Sequence, residues 1–305
     1  MGSDCHVIAA GGPPHLADQA KARIDDLERR WSRFREDSEV SGLNRSNGRP
    51  TRVSAETVGL VRRAVEAWRL SGGAFDPTVL GAVIRAGYTR SFDLLGTDPA
   101  PGTSLLGIGA ADIHIDDDTI RLPAGTGFDP GGIGKGLAAD LVTGELMAAG
   151  AAGACVNLGG DLRASGVGPD DGPWTVAVEH PWSESPIALL GLAEGAVATS
   201  TTLRRTWVSD GLPRHHLIDP QTGRPSDTDV ALSTVVAAEA WMAEVLAKAV
   251  LLRGAEHPFD ILGGTGAEGL VVDDSGATQA TPGLADYLGD ASVPARIRRG
   301  ACVKS

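Results

Sequence analysis

The chain has 305 residues, 42% of them hydrophobic and 22% charged, with a formal charge of −12 at pH 7. That length buries a large core in one domain or two intimate ones. The acidic balance argues against nucleic acid or an anionic membrane as the main partner, and with aromatics at only 4% there is no series of rings on which bases could stack.

In chain order, Cys5–Ala10 reads as a short first strand. Residues 16–34 carry a helical face of Leu16, Ala20, Ile24, Leu27 and Trp31. Residues 37–47 are polar and turn-rich. Ser54 begins a second helix, with Thr57 three residues on and an apolar face of Val58, Val61, Val65 and Trp68, and Ser71-Gly72-Gly73 ends it. Residues 112–122 read as a hairpin that turns at Asp116-Asp117-Asp118. A helix follows over 136–149, then a strand over 154–158 and a turn at Gly159-Gly160-Asp161, where the aspartate is expected to hold the turn. Strands are expected at 174–179, 188–192 and 196–199, a helix at 238–253 ended by Gly254, and a last hairpin over 269–278. The elements mix without strict alternation. That favours an α+β fold of mixed sheets with packed helices over a doubly wound sheet.

The most pointed run is 128–140, Phe-Asp-Pro-Gly-Gly-Ile-Gly-Lys-Gly-Leu-Ala-Ala-Asp. Gly131, Gly132, Gly134 and Gly136 surround Lys135 at the start of a helix. Glycines let backbone N–H groups approach a ligand, and a helix N-terminus with a lysine suits a phosphate. The run fits neither a Walker loop, since Gly136 follows Lys135, nor the Rossmann spacing, since Leu137 stands where the last glycine belongs. A helix start packed tightly against a neighbour explains the glycines equally well. Cys5, Cys155 and Cys302 show no metal-ligand or redox-pair spacing, and Cys155 reads as a buried small hydrophobe. No apolar run approaches the length of a membrane span, and Met1–Gly12 lacks the pattern of a secretory signal. A cytoplasmic location is therefore expected.

Six segments in order resemble the FAD:protein FMN transferase (ApbE-like) family: Ser32 to Glu39 with Leu43-Asn44; Gly72 to Thr78; Asp129 to Asp140; Val156 to Asp161; Ala198-Thr199-Ser200; and His216 to Gly223. The resemblance implies one transferase domain over 1–290, followed by a basic tail over 291–305 with Arg296, Arg298, Arg299 and Lys304. It implies two closely associated lobes with the ligand site between them. It also implies an activity: transfer of the FMN half of FAD to a threonine of a partner protein, with release of AMP and help from Mg²⁺. The target threonine lies in a Ser/Thr-Gly-Ala-Ser/Thr context. Ser275-Gly276-Ala277-Thr278 has that form within this chain, and also reads as a hairpin turn.

By position, the resemblance assigns FAD contacts to Phe34, Ala74, Phe75, Asp76, Asp129, Lys135, Thr199 and Ile218. Phe34 matches an aromatic that packs on the flavin, and reads otherwise as a core residue at a helix end. Gly132, Glu244 and Ala247 fall at the metal positions, Gly132 through its carbonyl. His216 is the general-base candidate, since imidazole titrates near neutral pH. Asp219 would orient it or cap the turn with Pro220, and His215-His216 reads alternatively as a surface pair.

One segment departs from the pattern. The family's metal site ends in Ala-Asp-x-x-x-Thr on a helix, and this chain has Ala243-Glu244-Val245-Leu246-Ala247-Lys248. An ammonium has donors only and cannot ligate Mg²⁺, which wants oxygen ligands in octahedral geometry. Three readings follow. Lys248 replaces the metal and neutralises the FAD pyrophosphate, with Glu244 as its i,i+4 partner. Alternatively, the chain binds FAD without catalysis, or hydrolyses it to FMN and AMP. Or the two residues form an ordinary surface pair.

Overall fold

A computed structural model of the chain describes residues 3–95, 105, 107, 109–169, 171–209, 211–288 and 298–299. Among these, the α-helices are α1 (Leu16–Trp31), α2 (Glu39–Arg45), α3 (Ala55–Leu70), α4 (Leu80–Arg85), α5 (Gly134–Ala148) and α6 (Ala240–Arg253). The chain divides into two compact units. Met1–Ser3, Ala22–Gly134 and Thr202–Asp227 form the first; Asp4–Lys21, Lys135–Thr201 and Thr228–Ser305 form the second. The expected basic tail lies outside the described residues, except that Arg298–Arg299 pairs in parallel with Gln279 and Ala280.

The first unit holds α2 to α4 and short strands. Helix α3 starts as its sequence predicts, with Ser54 Oγ accepting the Thr57 N–H at 3.4 Å. The hairpin of His114–Asp116 and Thr119–Arg121 turns at Asp117, whose φ is 47°, and Thr51–Arg52 adds a third strand. Residues 37–47 hold a helix where only turns were expected. Ser38 caps α2 by accepting the Ser41 N–H at 3.0 Å, and Val40 and Leu43 are buried. A small core of Ala82, Val83, Ala86, Tyr88 and Ile218 takes in Phe34 and Trp207.

The second unit is built on a sheet of eight strands. Their order is Cys5–Ala10, Gly153–Leu158, Asp161–Gly166, Glu194–Thr201, Val230–Ala237, Glu268–Asp273, Thr278–Ala280 and Arg298–Arg299. All pairs but the last are antiparallel. Val230–Ala237 is buried along its whole length, as a central strand covered on both faces must be. Helix α6 packs against this strand and Glu194–Thr201. It is buried on nearly every side, and its only charged residues before Arg253 are Glu244 and Lys248. A separate hairpin, Trp174–His180 with Ser183–Leu192, adds its apolar side to the core below. Cys155 is buried there as expected, and burial pushes its thiol up to about 11. The expected last hairpin forms around Asp273, whose carboxylate accepts the N–H groups of Ser275 and Ala277, and Thr278 pairs with Val272 in the ladder.

Candidate functional site

A buried charged cluster lies within the second unit, where α5, α6 and the strand Asp161–Gly166 meet. Lys135, in the first turn of α5, pairs with Asp161 and lies 2.7 Å from Glu244 Oε1. The other Glu244 oxygen accepts the Gly136 N–H at 2.8 Å. The side chains of Asp161 and Glu244 are about 5% exposed, and Lys135 is 13% exposed. Burial works against the Lys135 charge, but the Asp161 and Glu244 carboxylates outweigh it and hold the ammonium above the ordinary lysine range. Burial, then the Glu244 carboxylate, pushes Asp161 up to about 7, against the pull of Lys135 and Lys248. Lys248 follows Glu244 by one turn on the same face of α6 and is half-buried.

The helices cross closely here because of Gly136. A Cβ at that position would stand 2.4 Å from the Ala240 carbonyl oxygen and 2.7 Å from the Trp241 nitrogen. One turn further along α5, Asp140 accepts the N–H groups of Ala240 and Trp241 at 2.8 and 2.9 Å, capping α6 from outside. Burial raises Asp140 to about 6, against those two hydrogen bonds and Arg163 at 3.5 Å.

Within the first unit, Arg33 lies between two rings, 4.1 Å from the Phe34 centroid and 4.6 Å from that of Tyr88. It donates to the Tyr88 carbonyl at 3.1 Å and lies 3.5 Å from Asp129. Tyr88 also meets the Trp207 ring at 5.6 Å. Asn44 pins the neighbouring backbone: its amide brackets Phe128, donating to the carbonyl at 2.9 Å and accepting the N–H at 2.7 Å. The loop of 71–78 is held by Ser71 Oγ, which accepts the Phe75 N–H at 3.0 Å, and by the buried Asp76, which accepts the Thr78 N–H at 2.7 Å.

The sequence pattern of the ApbE family matches residues 1–270. The chain belongs to the ApbE family. It is 29% identical over 240 residues to the FAD:protein FMN transferase of Vibrio cholerae, covering 77% of this chain and 72% of that one. It is 30% identical over 276 residues to the FAD:protein FMN transferase of Treponema pallidum, covering 83% and 76%. Among solved structures, the ApbE protein of Thermotoga maritima superposes with a TM-score of 0.82 at 25% identity, over 94% of this chain and all of that one. The apo flavinyl transferase ApbE of Pseudomonas stutzeri gives 0.80 at 26%, over 96% and 95%.

Several residues expected to meet ligand have other work in this ApbE chain. Lys135 faces two carboxylates, and Gly136 serves helix packing, so the tight-packing explanation accounts for part of the glycine run. Asp161 does not hold its turn. Asn157 Oδ1 does, accepting the Gly160 N–H at 2.9 Å. Gly159 and Gly160 both have positive φ, so the turn takes only those two residues and Asp161 becomes the first residue of the next strand. Asp129 caps the short turn Pro130–Gly132 through the Gly131 N–H, and the buried Gly132 lies inside that turn. Asp219 holds its own turn by accepting the Gln221 N–H at 2.9 Å. It is His215 whose ring lies 3.0 Å from the Ser226 carbonyl oxygen, and burial lowers its pKa. His216 is half-buried just after the strand Leu212–His215. Thr199 pairs its hydroxyl with that of Thr234 at 2.8 Å, while Ile218 is buried in the small core. Ala74 stays half-buried in the 71–78 loop.

The donor set does not fit Mg²⁺. Ala247 is fully buried mid-helix and has no side-chain oxygen, and both oxygens of Glu244 are engaged by α5. The Lys135 ammonium already bridges Asp161 and Glu244. Among the described residues, no group of three or more histidine, cysteine, aspartate or glutamate side chains is placed to hold a metal ion. Also among the described residues, no helix is long and apolar enough to cross a membrane.

Proposed function

We propose that the chain transfers the FMN half of FAD to a hydroxyl of a partner protein, at a threonine in a Ser/Thr-Gly-Ala-Ser/Thr context. The observation that carries this reading is the family match across residues 1–270, joined to relatives named FAD:protein FMN transferase that align along more than 70% of their own length. In the reaction, the threonine oxygen attacks the FMN phosphorus. The bond from that phosphorus to the bridging oxygen breaks, and AMP leaves with that oxygen. The hydroxyl proton passes to a base, for which His216 is the choice because neutral imidazole accepts a proton near pH 7. Asp219 has its carboxylate committed to its own turn, and its part is to fix the backbone beside His216. Phosphoryl transfer asks chiefly for position and charge stabilisation.

Flavin contacts fall to Phe34, backed by Arg33 and Tyr88, and to the 71–78 loop, where Asp76 and Ser71 hold the backbone that presents Ala74 and Phe75. Asp129 and Gly132 supply the turn before α5, Ile218 completes the first unit's cofactor set, and the location is cytoplasmic. Incubating the protein with FAD and a peptide bearing the target motif tests the reading. A peptide heavier by the mass of FMN less water, with AMP released in equal amount, is the expected result. FMN and AMP without peptide adduct would make the protein a hydrolase, and intact FAD would make it a binder.

A further inference from the structure

Within the first unit, the strands Thr206–Ser209 and Leu212–His215 form a sheet of their own. A two-stranded hairpin alone is marginal in water, so its place is set by what its side chains grip. Trp207 supplies one grip. It is half-buried between the exposed Thr206 and Val208, so its ring is the one turned inward. The ring meets that of Tyr88 at 5.6 Å, and the indole N–H donates at 2.7 Å to the carbonyl of Ala86, the C-terminal cap of α4. Ile218 supplies a second grip in the same small core, and His216 lies between the two in the chain. The His215 ring stiffens the stretch: Nδ1 accepts the Leu217 N–H at 3.3 Å, and Nε2 donates to the Ser226 carbonyl at 3.0 Å. Those bonds join the segment Thr202–Asp227 to itself, whereas Trp207 joins it to α4 and Tyr88. Tyr88 also meets the Phe34 ring, at 5.7 Å. One ring is therefore shared by the flavin platform and the hairpin that leads into the base.

We propose that Trp207 is a positioning residue for FMN transfer: through Tyr88 and Ala86 it fixes the hairpin that presents His216 relative to the Phe34 platform. This rests on the flavin-transferase reading with His216 as base. Ile218 alone would let the hairpin swing about one point, and the Trp207 ring is the second fastening that stops it. Indole suits the role. It combines a large apolar body with one donor, and that donor meets a carbonyl that the end of α4 leaves without a helical partner. A base must stand within hydrogen-bond reach of the proton it takes, and a shift of about 1 Å can cost on the order of a hundredfold in rate.

The test measures kcat for FMN transfer to the motif peptide and, separately, FAD affinity by flavin fluorescence. The proteins are the full-length wild type, Trp207→Leu, Trp207→Phe, His216→Ala and the two double variants. Bound FAD per protein counts the folded sites, so kcat is taken per site and loss of fold drops out. Trp207→Leu is expected to lower kcat about tenfold or more, the scale of a misplaced base, with FAD affinity within about twofold of wild type. Trp207→Phe keeps a ring on Tyr88 and should retain about a third of the wild-type kcat. In the His216→Ala background either change should lower kcat by less than about twofold, because the group it positions is gone. Three results overturn the proposal while leaving FMN transfer intact: full kcat in both Trp207 variants, losses that multiply with that of His216→Ala, or a loss of FAD affinity that leaves kcat unchanged. Should Trp207→Leu not fold, Trp207→Phe carries the same comparisons. Wild-type kcat in His216→Ala overturns the choice of base and this proposal together. No peptide adduct from the wild type overturns the transfer reading itself.

Discussion

Gly136→Ala should destabilise the protein by ~2 kcal/mol, although alanine is the better helix former. The added methyl would meet backbone, with Ala240 O at 2.4 Å, Ala240 C at 2.6 Å and Trp241 N at 2.7 Å. Backbone cannot rotate away, so α5 and α6 must separate. Overpacking of this kind costs ~1–3 kcal/mol. Separation also stretches the Asp140 cap on α6, worth ~1 kcal/mol, and the Gly136 to Glu244 hydrogen bond. Against this, glycine to alanine gains up to ~1 kcal/mol of helix propensity, less in a first turn. Gly144, in the same helix, is the internal control: a Cβ there meets nothing within 4 Å. Gly144→Ala should stabilise by ~0.5–1 kcal/mol. Urea unfolding of both variants beside the wild type, with the m-value checked for constancy, measures both effects. If Gly136→Ala proves as stable as the wild type, or less harmful than Gly144→Ala, the close crossing at residue 136 is refuted.

Lys135→Met leaves the two buried carboxylates facing each other and should cost ~3–5 kcal/mol; adding Glu244→Gln should restore part of it, and strictly additive losses in the double variant would contradict the cluster. Asp140 holds its proton more tightly in the folded protein, with its pKa raised from 3.8 to about 6. Its contribution to stability is therefore full below about pH 4 and falls as pH rises through 6, by ~3 kcal/mol in all. The stability of the wild type relative to Asp140→Asn should accordingly decline between pH 4 and 7, and a flat or rising difference would argue against a buried, desolvated carboxylate. Asp273→Ala removes the acceptor for the Ser275 and Ala277 N–H groups and should cost ~1 kcal/mol, measured by thermal unfolding, with Asn retaining most of it.

Local structure was legible where the signal is local. Ser54 with Thr57 marks the start of α3, and the Asp116-Asp117-Asp118 turn and the Gly254 stop each depend on a few adjacent residues. Helix α2 was missed because seven residues hold too few turns to display a period, and its polar letters resemble a loop until Val40 and Leu43 find a core. The ApbE resemblance made the family and the α+β architecture readable, because six motifs in order are far less ambiguous than any one. The site was harder. Asp140 caps a helix 100 positions away, and Lys135 meets Glu244 across 109. Nothing in the adjacent residues encodes such partners. Asp161 had a readable signal that the Gly-Gly doublet obscured. A two-residue turn ends at its second glycine, so the next residue already belongs to a strand and can point into the core.

The glycine-rich run carries the wider lesson. A lysine amid glycines at a helix start satisfies every local criterion for holding a phosphate. Those criteria concern what the backbone permits, whereas the occupant of the lysine depends on which charges the fold brings to it. Here the fold brings Asp161 and Glu244, so the Lys135 charge is spent inside the protein.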